Sequence, residues 1–189
     1  MNKSFLLLAI VSLLMIVNQS LTAQGEIVAE KLFYGELCGP GVVMSVNLDG
    51  RFKSNERLGF GYRIGVGYGF EGFEDKLVEL LFTERDIANF HKGVMRTFYS
   101  VPAGLNYVFG NPKKAFTFEV GTGVTLLTRK TSLYNWKVER AGNIIGFFNF
   151  MYRIMPVNGG MSFRVGFTPI IGTAGDLFPM GSIGWGYAF

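Results

Sequence analysis

The 189 residues contain one cysteine, Cys38, and one histidine, His91. A single thiol excludes an intramolecular disulfide, and one thiol with one imidazole is too small a donor set for a zinc centre. No base stands beside Cys38 to make it a nucleophile, so it reads as a small filler. Charge is also scarce: Asp, Glu, Lys and Arg make up 17% of the chain, against 49% hydrophobic residues. The 18 Lys and Arg outnumber the 14 Asp and Glu only mildly, for a formal charge of +4. These cations are scattered, so a nucleic-acid partner is not expected. After the first two dozen residues there is no apolar run approaching the ~20 residues of a spanning helix. No cofactor or metal is expected from this composition.

The start of the chain does carry an apolar run. Met1 to Ser4 include one Lys, Phe5 to Val17 are apolar apart from Ser12, and Leu21-Thr22-Ala23 precede Gln24. This is the pattern of a secretory signal peptide over 1–23, leaving 24–189 as one domain. The absence of Cys at the cleavage point argues against a lipoprotein.

The dominant pattern of the remainder is alternation. Met180 to Phe189 reads MGSIGWGYAF, with Ile183, Trp185, Tyr187 and Phe189 on one face and Ser182, Gly184, Gly186 and Ala188 on the other. Period two is a strand, here with one large apolar face and one nearly bare. Leu58 to Phe70 is the clearest case. Phe60, Tyr62, Ile64, Val66 and Tyr68 alternate with Gly61, Arg63, Gly65, Gly67 and Gly69. Gly41 to Phe52, Tyr99 to Phe109, Lys114 to Leu127, Ile144 to Met155 and Met161 to Ile171 repeat it, with Val42, Met44, Val101, Phe118, Phe150 and Phe163 among the large outward residues. Pro102 falls on the inward face, where its missing N–H predicts a bulge. Ile27 to Leu37, interrupted at Glu30-Lys31, completes an even number of strands.

Connections at Lys53, Gly110 and Pro156 are short, while those at Glu71, Thr128 and Gly172 are longer. Alternating short and long links, apolar faces without charge and inward glycines predict an antiparallel eight-stranded transmembrane β-barrel, all-β. A lipocalin-like barrel is the soluble rival, but it keeps apolar residues inside and polar ones outside. Here that polarity is inverted.

The chain resembles the small eight-stranded outer-membrane barrels of OmpA/OmpX-like, porin-family type. It is more closely similar to a group common in Bacteroidetes-type envelopes, through Glu36-Leu37-Cys38-Gly39-Pro40-Gly41 leading to Ser45-Val46-Asn47-Leu48, Val101-Pro102-Ala103-Gly104-Leu105-Asn106-Tyr107, and Arg164-Val165-Gly166-Phe167-Thr168-Pro169. The resemblance implies an outer-membrane location after signal cleavage. It implies contact with outer-membrane lipids and lipopolysaccharide, and insertion by the barrel-assembly machinery. Trp185, Tyr187 and Phe189 would be its assembly signal. The family implies no catalytic positions.

The inward charges Asp49, Arg51, Arg63, Glu119, Arg153 and Arg164 fall in one lower layer, counted from the short-turn end at ~3.3 Å per residue. Together with Glu36 they predict a salt-bridged plug, with Arg63 and Glu119 in one network. An anion site is the functional alternative. An eight-stranded interior is just wide enough for side chains, which argues against an open pore. Arg129, Lys130 and Arg140 lie near Trp136, as a surface-binding loop or an interfacial girdle would place them. His91, Ser100 and Glu84 are the only candidates for a hydrolase set. The reading is therefore a monomeric, non-catalytic barrel with a structural, envelope-interaction or surface-binding role. A lipid-modifying hydrolase or acyltransferase and a small-solute channel stand as alternatives.

Overall fold

The computed structural model describes residues 28–70, 96–131, 142–172, 175 and 177–189. Alternating sequences form β1 (Lys31–Cys38), β2 (Met44–Arg51), β3 (Gly59–Phe70), β4 (Thr97–Gly110), β5 (Phe116–Thr131), β6 (Gly142–Ile154) and β7 (Gly160–Phe167). Two short pieces, β8 (Ile170–Ile171) and β9 (Leu177–Phe178), precede β10 (Gly181–Ala188). β8 prolongs β7 and β9 prolongs β10, because Phe167↔Gly181 and Ile170↔Phe178 keep one register. Pro169 and Pro179 face each other across that seam and contribute no N–H, while Thr168 N still donates to Met180 O at 2.6 Å.

The result is an antiparallel barrel of eight strands. The order β5-β4-β3-β2-β1-β10-β7-β6 is closed by pairing of β5 with β6. Partners can be followed from Phe33 through Leu48, Ile64, Ala103, Val124, Gly146 and Ile171 to Leu177. Extended past the end of β1, the β10 register Leu37↔Ile183 would return that line at number 43, ten residues from Phe33. A stagger of this kind goes with strands tilted by roughly 35–45°.

Three expectations need correction. The first strand begins at Lys31, not Ile27, and runs to Cys38; Ile27 lies outside the described residues. Pro102 causes no bulge: Ile64↔Ala103 and Gly67↔Ser100 share one register on either side of it, and only the bridges between are lost. Val42 does not face outward but is fully buried, because Gly39–Gly41 forms a buried turn of 3-10 helix.

That turn changes the reading of the first link. Cys38-Gly39-Pro40 is a simple reversal by sequence, yet Gly39–Gly41 folds into the barrel. Ser100 Oγ donates to Gly41 O at 2.9 Å, Thr125 Oγ1 to Pro40 O at 2.8 Å, and Gly39 N to Met180 Sδ at 2.9 Å. Cys38 and Val42 take φ of 60° and 78°, a region costly for residues with a Cβ and rare for a β-branched one. Inward hydrogen bonds and burial of Val42 offset that strain. Val42 and Val43 join Phe98, Leu127, Ile145, Ile170 and Met180 in an apolar cluster that fills the end of the lumen carrying the longer links. Ala29, Leu32, Tyr34, Met155 and Ala188 form a second cluster at the short-turn end.

The inward glycines are explained by what lies over them. A Cβ at Gly61 would sit 2.4 Å from Arg51 Cζ, one at Gly184 2.8 Å from Arg164 Cγ, and one at Gly69 2.5 Å from the Phe98 ring. Large inward side chains on one strand lie over bare backbone on the next. A narrow barrel holds arginines only on these terms.

Candidate functional site: the charged lumen

Between the two apolar clusters lies a layer of charge. Period two places Asp49 and Arg51 of β2, Arg63 of β3, Glu119 of β5, Arg153 of β6 and Arg164 of β7 on inward positions, and Glu36 of β1 joins them. All are buried, with Arg63, Arg153 and Arg164 at 2% exposure or less. Burial of so many charges requires pairing, and the pairs are present. Arg51 Nη2 donates to Asp49 Oδ1 at 2.5 Å, and Arg153 lies 3.4 Å from the same oxygen. Arg153 Nη1 and Arg164 Nη2 hold the two oxygens of Glu119 at 2.7 and 2.9 Å. Asn106 Nδ2 donates to Asp49 Oδ2.

Arg63 and Glu119 are members of this one network but do not pair. Arg63 Nη2 donates to Glu36 Oε2 at 2.6 Å. With its amide turned to satisfy its neighbours, Asn149 accepts from Arg63 Nη1 at 2.6 Å. Glu36 also approaches Arg164, with 3.9 Å between Oε1 and Nε, so it links the β3 arginine to the Glu119 group. The guanidiniums of Arg164 and Arg63 lie 4.5 and 5.6 Å from the centre of the Tyr34 ring, at distances where the ring quadrupole attracts a cation.

One arginine is not evident from the sequence. Arg57, in the charged turn between β2 and β3, is 4% exposed and closes the short-turn mouth. It donates to Lys114 O at 2.8 Å, Pro112 O at 3.2 Å and Met155 O, tying together the turns before β5 and after β6. Burial, and after it the Arg153 charge, hold Arg57 below the usual guanidinium range. A turn arginine normally points to water, and no spacing marks this one as different.

The closing strand pairs with β1. Gly35↔Trp185 and Phe33↔Tyr187 lie side by side, and Lys31 and Phe189 exchange both backbone hydrogen bonds at 2.9 Å. Trp185 and Phe189 are half-exposed on the outer wall. Arg129 and Lys130 lie exposed near the end of β5, where Arg129 Nη1 donates to Thr97 O at 3.3 Å. Trp136 and Arg140 lie outside the described residues, as do His91 and Glu84. Ser100 is buried in the lumen wall, its hydroxyl engaged by Gly41.

Fold and lumen together define a closed eight-stranded antiparallel barrel with a charged centre between two apolar plugs. Compared with family models, with curated proteins and with solved structures, the chain matches none.

Proposed function

We propose that this protein is an integral outer-membrane barrel whose role is structural or surface-interacting, with neither transport nor catalysis. The observation that carries the reading is the outer wall. Phe60, Val66 and Met161 are 68%, 65% and 70% exposed, and large apolar residues from every long strand stand exposed beside them. Monomeric soluble proteins rarely expose so continuous an apolar surface, and one of this extent marks a membrane or partner contact. On β4 the outward residues from Tyr99 to Phe109 span about 33 Å along the strand. At the tilt of such barrels this matches an apolar band about 25 Å tall. Aromatic pairs mark its edges: Phe60–Tyr107 at 4.9 Å, Phe109–Phe118 at 5.8 Å and Phe116–Tyr152 at 6.0 Å near the short turns, and Tyr68–Tyr99 at 5.9 Å at the other end. Rings at this level suit a lipid–water interface.

Lipids, lipopolysaccharide included, are then its solvent, and the assembly machinery of the envelope its route in. The lumen supports the non-transport half of the reading, since apolar clusters lie above and below a paired charge layer. The test is reconstitution. The protein refolded from urea into vesicles should show heat-modifiable gel migration and no conductance steps in planar bilayers. Recovery as a folded, detergent-free monomer in buffer overturns the membrane assignment, and reproducible conductance overturns the sealed lumen.

A further inference from the structure

Inside the charge layer four arginines, Arg51, Arg63, Arg153 and Arg164, face three carboxylates, Glu36, Asp49 and Glu119, and all seven are buried. One positive charge is left over, which is costly away from water. Its location can be read from the hydrogen bonds. Asp49 and Glu119 are each shared by two arginines, and Glu36 is taken by Arg63. Arg164 therefore keeps Nη1 without a partner, and its Nε is too far from Glu36 Oε1 to bond. Arg63 Nε and the Tyr34 hydroxyl are likewise buried and unpartnered, and both guanidiniums flank that same tyrosine ring.

Around Tyr34 the unpartnered groups are thus mostly donors: Arg63 Nε, Arg164 Nε and Arg164 Nη1 can only donate and the Tyr34 hydroxyl can donate or accept, against the single pure acceptor Glu36 Oε1. Among the other described residues they are mixed, two acceptors, Asn47 Oδ1 and Asn106 Oδ1, and two donors, Arg57 Nε and Arg153 Nε, as water can serve. Water donates as much as it accepts and carries no charge. A one-sided excess of donors with an unmatched positive charge calls for an acceptor that is negative. We propose that the lumen holds a small inorganic anion of chloride size beside Tyr34, bound by Arg164 and Arg63, with Glu36 Oε1 the one group opposing it. Because apolar clusters lie on both sides, the anion is taken up as the barrel folds.

Bromide is the probe. The protein is refolded from urea into detergent micelles in sodium bromide or, at equal ionic strength, in sodium gluconate, whose anion is too large for the site. Crystals grown from bromide should give an anomalous peak beside Tyr34, and the melting temperature should rise saturably with bromide but not with gluconate. Tyr34→Phe removes one donor and no charge, so it should fold and weaken the apparent bromide affinity about tenfold. Arg164→Met should abolish saturation. The proposal is overturned by a lumen with water but no anomalous peak, by equal responses to the two anions, or by a Tyr34→Phe response identical to that of the unaltered chain.

Discussion

The lumen arginines show how far a single residue's role follows from its own position. Alternation alone puts Arg63 and Glu119 inside, but strand stagger chooses their partners. Glu36 on β1, two strands from β3, receives Arg63, whereas Glu119 on β5 receives Arg153 from the neighbouring β6 and Arg164 from beyond it. Double-variant cycles should reflect this. Arg63→Met combined with Glu36→Gln should show a coupling of about 1 to 3 kcal/mol in urea unfolding from lipid vesicles, as contacting residues do. Arg63→Met with Glu119→Gln should show a smaller coupling, because these two are joined through Glu36 and Arg164 and not directly; the reverse ranking would contradict the pairing described. Removing one member of a pair alone should cost about 3 to 5 kcal/mol, since a buried charge is stranded. Arg57 presents the opposite case, a cation with carbonyl partners. A lysine has no planar fork to reach three carbonyls at once, so Arg57→Lys should cost about 2 kcal/mol despite keeping the charge. A variant as stable as the original would mean that the turns are held without it.

Strands were the most legible elements, because period two is imposed on every residue of a wall with different surroundings on its two faces. Phe148, Phe150 and Tyr152 face out and Phe147, Asn149, Met151 and Arg153 face in along β6, as their order alone indicates. The same two-face logic predicts opposite sensitivities for adjacent residues. Ile64→Arg on the outer face should destabilise the vesicle-embedded barrel by about 2 to 4 kcal/mol through charge. At neighbouring Gly65 bulk should matter instead, because a Cβ there would meet Asn47 Oδ1 at 2.2 Å and Val46 O at 2.7 Å. Gly65→Ala should therefore impair folding although it adds no charge, and equal tolerance of both changes would overturn the face assignment. What the sequence did not reveal lies between strands. Gly39-Pro40-Gly41 has the composition of any surface turn, and what draws it inward lies far away in the chain: the hydroxyls of Ser100 and Thr125, the Met180 sulfur and the apolar cluster that takes up Val42. The missing N–H of Pro102 predicts a bulge, yet β4 absorbs it by leaving bridges to β3 unmade while its pairing with β5 stays continuous.

At the scale of the whole molecule, closure and, under the proposed outer-membrane role, assembly are separable demands on the same last strand. Closure is backbone work: β10 bonds β1 on one side and β7 on the other, and Phe189 exchanges both main-chain hydrogen bonds with Lys31. The Phe189 ring takes no part in this, being half-exposed on the outer wall and outside both apolar clusters of the lumen. A ring retained only for stability would be worth what its apolar surface gains from lipid, roughly 1 to 2 kcal/mol. A ring read during assembly has a different consequence. Phe189→Ser leaves the backbone pairing in place, so unfolding from vesicles should shift by no more than about 2 kcal/mol, while the amount inserted into the outer membrane of growing cells should fall severalfold. Measuring both in the same variant separates the two roles. Loss of stability in vesicles matching the loss in cells would make the terminal ring a packing residue, and unchanged insertion would remove Phe189 from the assembly signal altogether.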